Sequence, residues 1–331
     1  MTTRTLRATA LLTGGLLLLV GCGQAVTGAP AATTPQATAS VTNCGTPVTY
    51  AGAPQRIVAL NPGQADLIAR LGAADRIVGV AQTHGRPLPE TLTGGGRQIP
   101  VVGQDSPPTR EQLLTLQPDL VVSPTTYEFT AEKGYATQDQ LRKAGAATYV
   151  AAAGCLDRRS EAEVSDLITD IDSLGQVLGA DDAARRLTAE ANAQLQKATD
   201  RAKDKPKPTL AQVFIEGETV TAIGAGVEHS IGEAAGGRGV FSPDDPAFAK
   251  FFAAEVSRET LLAKNPDVIV FSALDDEHEK RTRQWLSTHL GSAKAVQQGR
   301  LVAIPASQLL PGTWGNLDAV TTINEALYPS E

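Results

Sequence analysis

Four histidines, His84, His229, His278 and His289, are the side chains that first invite a metal reading. Imidazole combined with carboxylate suits a divalent transition ion. No pair of them has the H-x-x-x-H spacing, however, and His289 falls late in a helical stretch, so they read as surface or supporting residues. Enzyme signatures also fail. Gly224-Ala225-Gly226 follows a strand and opens a helix, as a dinucleotide loop does, but the next required glycine position holds His229. Glu228-His229-Ser230-Ile231-Gly232 lacks the first glycine of a nucleophile elbow. Gly94-Gly95-Gly96 has neither the lysine nor the length of a phosphate-binding loop. A formal charge of −7 argues against general nucleic-acid binding. What remains is recognition of a small molecule, with no catalytic residue and no cofactor.

Recognition of that kind uses loops that follow the C-terminal ends of strands. In the first half these loops hold His84, Arg86, Gln104, Asp105, Tyr127, Glu128 and Tyr135. In the second half they hold Glu228, His229, Asp275, Asp276, His278 and Trp314.

The element that must set these two groups against each other is residues 181–203. Its apolar residues Ala184, Leu187, Ala191, Leu195, Ala198 and Ala202 step by three and four, which places them on one helical face. Gly179 suits the end of the preceding helix, and Asp181 or Asp182 can cap the new one. Lys203, Lys205 and Lys207 suit its negative end, and Pro206 and Pro208 stop it. No interior glycine or proline interrupts it, so it should run about 34 Å, the width of a small domain.

The same α/β pattern is written on either side. Residues 56–60, 76–80, 99–102, 119–123 and 148–152 read as strands alternating with short helices, and residues 210–215, 219–223, 267–272 and 301–304 continue the pattern. TREQLLTLQPDLVVS (109–123) and SRETLLAKNPDVIVF (257–271) agree at seven of fifteen positions, 148 residues apart. Each reads as a capped helix, a proline turn and a buried strand. The fold class is therefore α/β, with two Rossmann-like lobes of mainly parallel sheet joined by one long backbone α-helix.

The chain starts with Arg4 and Arg7 ahead of an apolar run, residues 8–20, too short for a stable membrane anchor. Leu19-Val20-Gly21-Cys22 resembles the lipobox of bacterial lipoproteins, which implies cleavage before Cys22 and lipidation of its sulfur. Residues 23–43 carry no charged side chain and read as a disordered tether. Cys44 and Cys155 remain; outside the cytoplasm an even remainder suggests a disulfide, with two free thiols as the alternative. The divisions are thus a signal peptide at 1–21, a tether at 22–43, a first lobe at 44–178, the linking helix at 179–205 and a second lobe at 206–331.

This layout resembles the extracytoplasmic substrate-binding proteins of ABC importers for ferric siderophores and cobalamin, the class with one helical backbone between its lobes. The resemblance rests on PQRIVALNPGQADLIARLGAADRIVGV, TREQLLTLQPDLVV, EVSRETLLAKNPDVIVF and GRLVAIP, in that order behind the lipobox. It implies an exported monomer, lipid-anchored to the outer face of the cell membrane. Such a protein takes a small-molecule ligand to a permease dimer and its ATPase. Glu111 and Glu259 match the family's glutamates that meet permease arginines, and Tyr127 and Trp314 match loop aromatics that line the cleft of hydroxamate binders. The family pattern is not followed throughout. Gln104-Asp105 stand where siderophore binders often place an arginine, and Ala253, beside Phe251 and Phe252, stands where cobalamin binders carry a tryptophan. The acidic candidate set points away from strongly anionic tricatecholates and toward a neutral or cationic iron chelate such as a ferric trihydroxamate. Cobalamin or haem is the alternative cargo. Outside this class, a cell-surface lipoprotein with hydrolase or adhesion function is the competing reading.

Overall fold

The computed structural model describes residues 38–329; the targeting segment, Cys22 and the tether up to residue 37 lie outside the described residues. The described chain starts as a hairpin, β1 (Thr38–Asn43) antiparallel to β2 (Thr46–Ala51), so the expected tether boundary at Asn43 is corrected to before Thr38. The turn is Cys44-Gly45, both at positive φ, the geometry of a two-residue hairpin. Val41 and Tyr50 are buried beneath it. The Asn43 side chain pairs with the backbone of Val150, donating to its carbonyl (2.6 Å) and accepting from its N–H (2.9 Å). That occupies polar groups that a sheet edge would otherwise leave open. Small uncharged residues looked like linker because this pairing is invisible along the chain.

The first lobe follows in order: β3 (Ile57–Ala59), α1 (Pro62–Ile68), β4 (Ile77–Val80), α2 (Glu90–Thr93), α3 (Arg110–Thr115), β5 (Leu120–Ser123), α4 (Gln138–Lys143) and β6 (Ala147–Val150). Its four strands are all parallel in the order β4-β3-β5-β6. Residues 99–102 do not form the strand their composition suggested; only a single bridge joins Val101 to Val80. Pro100 offers a carbonyl but no N–H, which leaves a ladder there incomplete. Next come α5 (Asp166–Leu178) and α6 (Asp181–Ala202), the expected rod, unbroken over 22 residues. Its N-cap is Ala180, with no side-chain cap; Asp181 and Asp182 sit in the first turn, where they suit the dipole, and Asp182 pairs with Arg185.

The second lobe contains β7 (Thr209–Glu216), β8 (Thr219–Ile223), α7 (Gly226–Ala234), β9 (Arg238–Gly239), β10 (Ala253–Glu255), α8 (Arg258–Lys264), β11 (Val268–Ala273), α9 (Asp276–His289), α10 (Lys294–Gln297), β12 (Leu301–Pro305), α11 (Ala306–Leu309) and α12 (Gly315–Leu327). The order is β10-β8-β7-β11-β12, with β9 also on β7. The β7–β9, β7–β11 and β11–β12 pairings are parallel, while β8 pairs antiparallel with both β7 and β10. The two-residue turn Gly217-Glu218 returns β8 directly alongside β7, which only an antiparallel pair permits.

The repeated motif is built alike in both lobes. Thr109 caps α3 and Ser257 caps α8 through their hydroxyls. Asp119 accepts from the backbone N–H of Gln55 and Arg56, and Asp267 accepts from that of Thr209, so each ties its strand to the neighbouring one. The described residues form one compact unit. A continuous core runs from Tyr50 through Ala184, Leu187, Ala191 and Ala198 of α6 to Ile323 and Tyr328. Because both lobes bury side chains in that one core, a wide hinge motion would have to expose it.

Candidate functional site

The parallel order β4-β3-β5-β6 fixes where the first lobe's loops lie: the loop after β6 neighbours the one after β5, and the loop after β4 lies at the opposite edge, beyond β3. After β5, Ser123 and Thr125 donate hydroxyl hydrogen bonds to Glu128 Oε2 at 3.1 and 2.6 Å, and Gln82 approaches its other oxygen. Glu128 is therefore buried and spent on shaping its own loop. Its neighbour Tyr127 is 45 % exposed, with Tyr135 edge-on at 5.9 Å. The loop after β6 lies hard against this one. A Cβ at Gly154 would sit 1.8 Å from the Pro124 carbonyl oxygen, so only glycine allows that approach. Cys155, disulfide-bonded to Cys44, anchors the start of the segment that leads to Arg159.

Arg159 is where the lobes meet. Its guanidinium lies 5.5 Å from the Phe251 ring and 5.0 Å from the Phe252 ring, and Phe251 is 48 % exposed. Its carbonyl abuts Gly226 at the start of α7, where φ is +71° and a Cβ would approach to 2.5 Å. The Gly226 N–H in turn donates to Ser160 O. Burial pulls the guanidinium below its ordinary pKa, and the Glu128 carboxylate pulls it back up. Among the described residues its donors have neither a hydrogen-bond acceptor nor an ion-pair partner. A half-buried cation over two phenylalanine rings, with no protein acceptor among the described residues, can grip a flat or globular ligand that carries acceptor oxygens.

The loops after β4 close the other side. His84 Nδ1 lies 3.8 Å from Asp105 Oδ1, and the His84 N–H donates to Gln104 O. Arg86 reaches across the lobes: its Nε donates to Leu274 O at 2.6 Å, and its Nη2 lies 3.7 Å from Asp276. Between the two sides, the Gln64 amide donates to Pro311 O at 2.6 Å. The lobes are thus bridged at both flanks and along the floor.

Residues 57–308 match the family model described as "Periplasmic binding protein". The chain belongs to that family. Among known proteins it is similar to a cobalamin-binding protein of Halobacterium salinarum, 27% identical over 271 residues, which covers 80% of this chain and 67% of that one. Among solved structures it is similar to a periplasmic binding protein from Veillonella parvula, with TM-score 0.75 and 19% identity over 89% of this chain and 98% of that one. It is also similar to an ABC-type Fe3+-hydroxamate transport system protein from Saccharomonospora viridis, with TM-score 0.71 and 23% identity over 87% and 98%.

Several residues of this periplasmic binding protein stand elsewhere than their loop positions suggested. Trp314 is 2 % exposed, within the core shared by the lobes and under the Arg70 guanidinium at 4.9 Å, so it plugs the joint and does not line a cleft. Arg86 is spent on the opposite lobe. His229 packs its ring against Gly239, with Nδ1 buried and unpartnered among the described residues. Burial holds that imidazole below its ordinary pKa, against the opposing pull of Glu233. Asp275 caps α9 through the His278 N–H at 2.7 Å, a bond that keeps its carboxyl below the usual range. His278 is buried against Phe214; it accepts from Leu274 N–H at Nδ1, which leaves Nε2 to donate to Ile215 O. Both nitrogens are engaged, so it holds no metal. Glu228, in the first turn of α7, has its carboxyl pushed up to about 7 by burial alone. A cavity of about 500 Å³ beside α9 is lined by second-lobe residues only, among them Glu216, Arg281 and Trp285.

Arg159 was missed because nothing local marks it. The available signal was its place, four residues beyond Cys155, in the loop that leaves the first lobe's last strand. Phe251 and Phe252 carry a clearer signal, paired rings just ahead of the second repeat.

Proposed function

We propose that this protein is the extracytoplasmic solute-binding lipoprotein of an ABC importer and that its cargo is an uncharged iron chelate rich in carbonyl oxygens, a ferric trihydroxamate. The observation that carries the reading is Arg159 of the first lobe, unpartnered among the described residues and half-buried against the second-lobe rings of Phe251 and Phe252. One cation with Glu128 close by leaves the seat near neutral, which suits hydroxamate or amide oxygens better than a trianionic chelate. Two of the acidic residues first assigned to the seat are otherwise engaged, Glu128 by hydroxyls and Asp275 as a helix cap. A corrinoid is the second reading. It is favoured by the relative named as a cobalamin-binding protein and by Phe251 and Phe252 standing beside the position of the corrinoid binders' tryptophan.

Delivery would use Glu111 and Glu259. They occupy the first turns of α3 and α8, their side chains are 72% and 69% exposed, and each pairs with the arginine before it. Exposed pairs of this kind contribute little to stability, so a permease arginine can displace them cheaply. Tethering through Cys22 would hold the protein at the outer membrane face.

Isothermal titration with a ferric trihydroxamate, a ferric tricatecholate, cyanocobalamin and hemin tests the cargo. Submicromolar binding of the trihydroxamate is expected. Tight binding of the tricatecholate alone overturns the charge argument, and binding of cyanocobalamin alone establishes the second reading. Reversing both Glu111 and Glu259 to lysine should abolish uptake in cells while leaving affinity unchanged; normal uptake would refute the docking assignment.

A further inference from the structure

We infer that Arg86 is a latch between the lobes that sets how fast the cleft admits and releases its ligand; this rests on the cleft being the ligand seat. The sheet order supplies the geometry. Arg86 follows β4, at one edge of the first sheet, and Arg159 follows β6, at the opposite edge. Tyr127, after β5, lies between them. In the second lobe, Arg86 meets the end of β11, whereas Arg159 meets the rings just before β10. The lobes are therefore held at both ends of the seat, and parting them to widen the cleft works against both clasps.

Both halves of the Arg86 clasp are preset. Gln82, His84 and Gly85 are all at positive φ. Their loop is tied down by Gln82 N–H to Gly103 O, by the Gln82 side chain to Leu60 O, and by Arg86 N–H to Thr83 O. Across the gap, Leu274 is held by its N–H to His278, which is itself fixed on Ile215 O. Closing the clasp therefore immobilises little beyond the arginine side chain. The bond to Leu274 O carries the contact. The Asp276 side chain is fully exposed and its ion pair is long, so that pair adds little. The Arg159 clasp, by contrast, is a stacking contact whose donors have no acceptor among the described residues, so they stay available to a ligand.

A latch present in both the empty and the filled protein slows entry and exit alike, whereas a direct ligand contact slows exit only. Arg86→Met keeps the unbranched stem roughly as far as Nε and removes the donors. In the ligand-free variant, amide hydrogen exchange should rise at residues 83–86 and 274–276 and not in β5 or β6. With a ferric trihydroxamate as probe in stopped-flow mixing, association and dissociation should both quicken about tenfold, the lower end for a charge-assisted bond, with Kd little changed. Arg86→Lys, which can still reach one acceptor, should fall between the two and keeps the test open if the methionine variant does not fold. Unchanged exchange, or slower association with a weakened Kd, overturns the latch. If the wild-type protein binds no probe, the ligand reading fails, and the exchange measurement alone still decides the latch.

Discussion

Replacing Asp170 by asparagine should remove most of a pH dependence that the fold builds into the joint between the lobes. Asp170 is wholly buried on α5. Its Oδ1 accepts from the Tyr149 hydroxyl (2.7 Å) and the Ala152 N–H (2.8 Å), while Oδ2, next to Gly312, has no partner among the described residues. Burial raises the carboxyl from 3.8 to about 7, outweighing the lowering by Tyr149 and Ala152. Below pH 4 the folded and unfolded chains are both protonated at this position. As pH rises from there to about 7, the unfolded chain releases the proton and the folded one keeps it, so stability falls; above 7 both are ionised and the loss is complete. A shift from 3.8 to about 7 corresponds to roughly 4 kcal/mol, of which roughly 3 lies between pH 5 and 8. Asparagine can still accept from Tyr149 and Ala152 but cannot ionise. Urea unfolding at pH 5 and pH 8 should therefore show wild type losing roughly 3 kcal/mol more than Asp170→Asn across that interval. Glu228, raised by its own burial, contributes a separate slope common to both proteins. Equal losses in the two proteins would mean that Asp170 is ionised in the fold and that the reasoning from burial is wrong.

Four further outcomes follow from the same geometry. Replacing Cys44 and Cys155 together by serine opens a loop spanning 111 positions and should cost about 4–5 kcal/mol, read as a lower urea midpoint that reductant no longer changes. Arg159→Met should weaken binding of the preferred ligand at least tenfold while leaving the urea midpoint within about 0.5 kcal/mol, because the guanidinium has no protein acceptor among the described residues; titration calorimetry checks the first part and denaturation the second. Trp314→Ala should cost about 3–5 kcal/mol, the value of a large buried ring. In a variant that keeps Trp314 and has Trp285 replaced by phenylalanine, titrating ligand should leave the Trp314 emission nearly unaltered.

Much of the frame is legible along the chain. Ala184, Leu187, Ala191 and Ala198 announce the buried face of α6 by spacing alone, since a helix maps sequence period directly onto one side. The repeated Pro-Asp pairs, Pro118-Asp119 and Pro266-Asp267, likewise mark the entry to a central strand in each lobe. The edges were harder to see. The β1–β2 hairpin is stabilised by Asn43 and Tyr50 bonding to β6, about 100 residues away. At residues 99–102, Pro100 limits to a single bridge what composition read as a strand.

By itself, then, the sequence determined the two α/β lobes, the unbroken rod and the family, because each is written in local periodicity, capping and repetition. The tertiary structure alone decided which loop residues meet. It turned Trp314 inward as a plug, sent Arg86 to a carbonyl 188 positions away, and brought Arg159 onto Phe251 and Phe252. Strand order and the close approaches at Gly154 and Gly226 set those meetings, and neither is a function of neighbours in sequence.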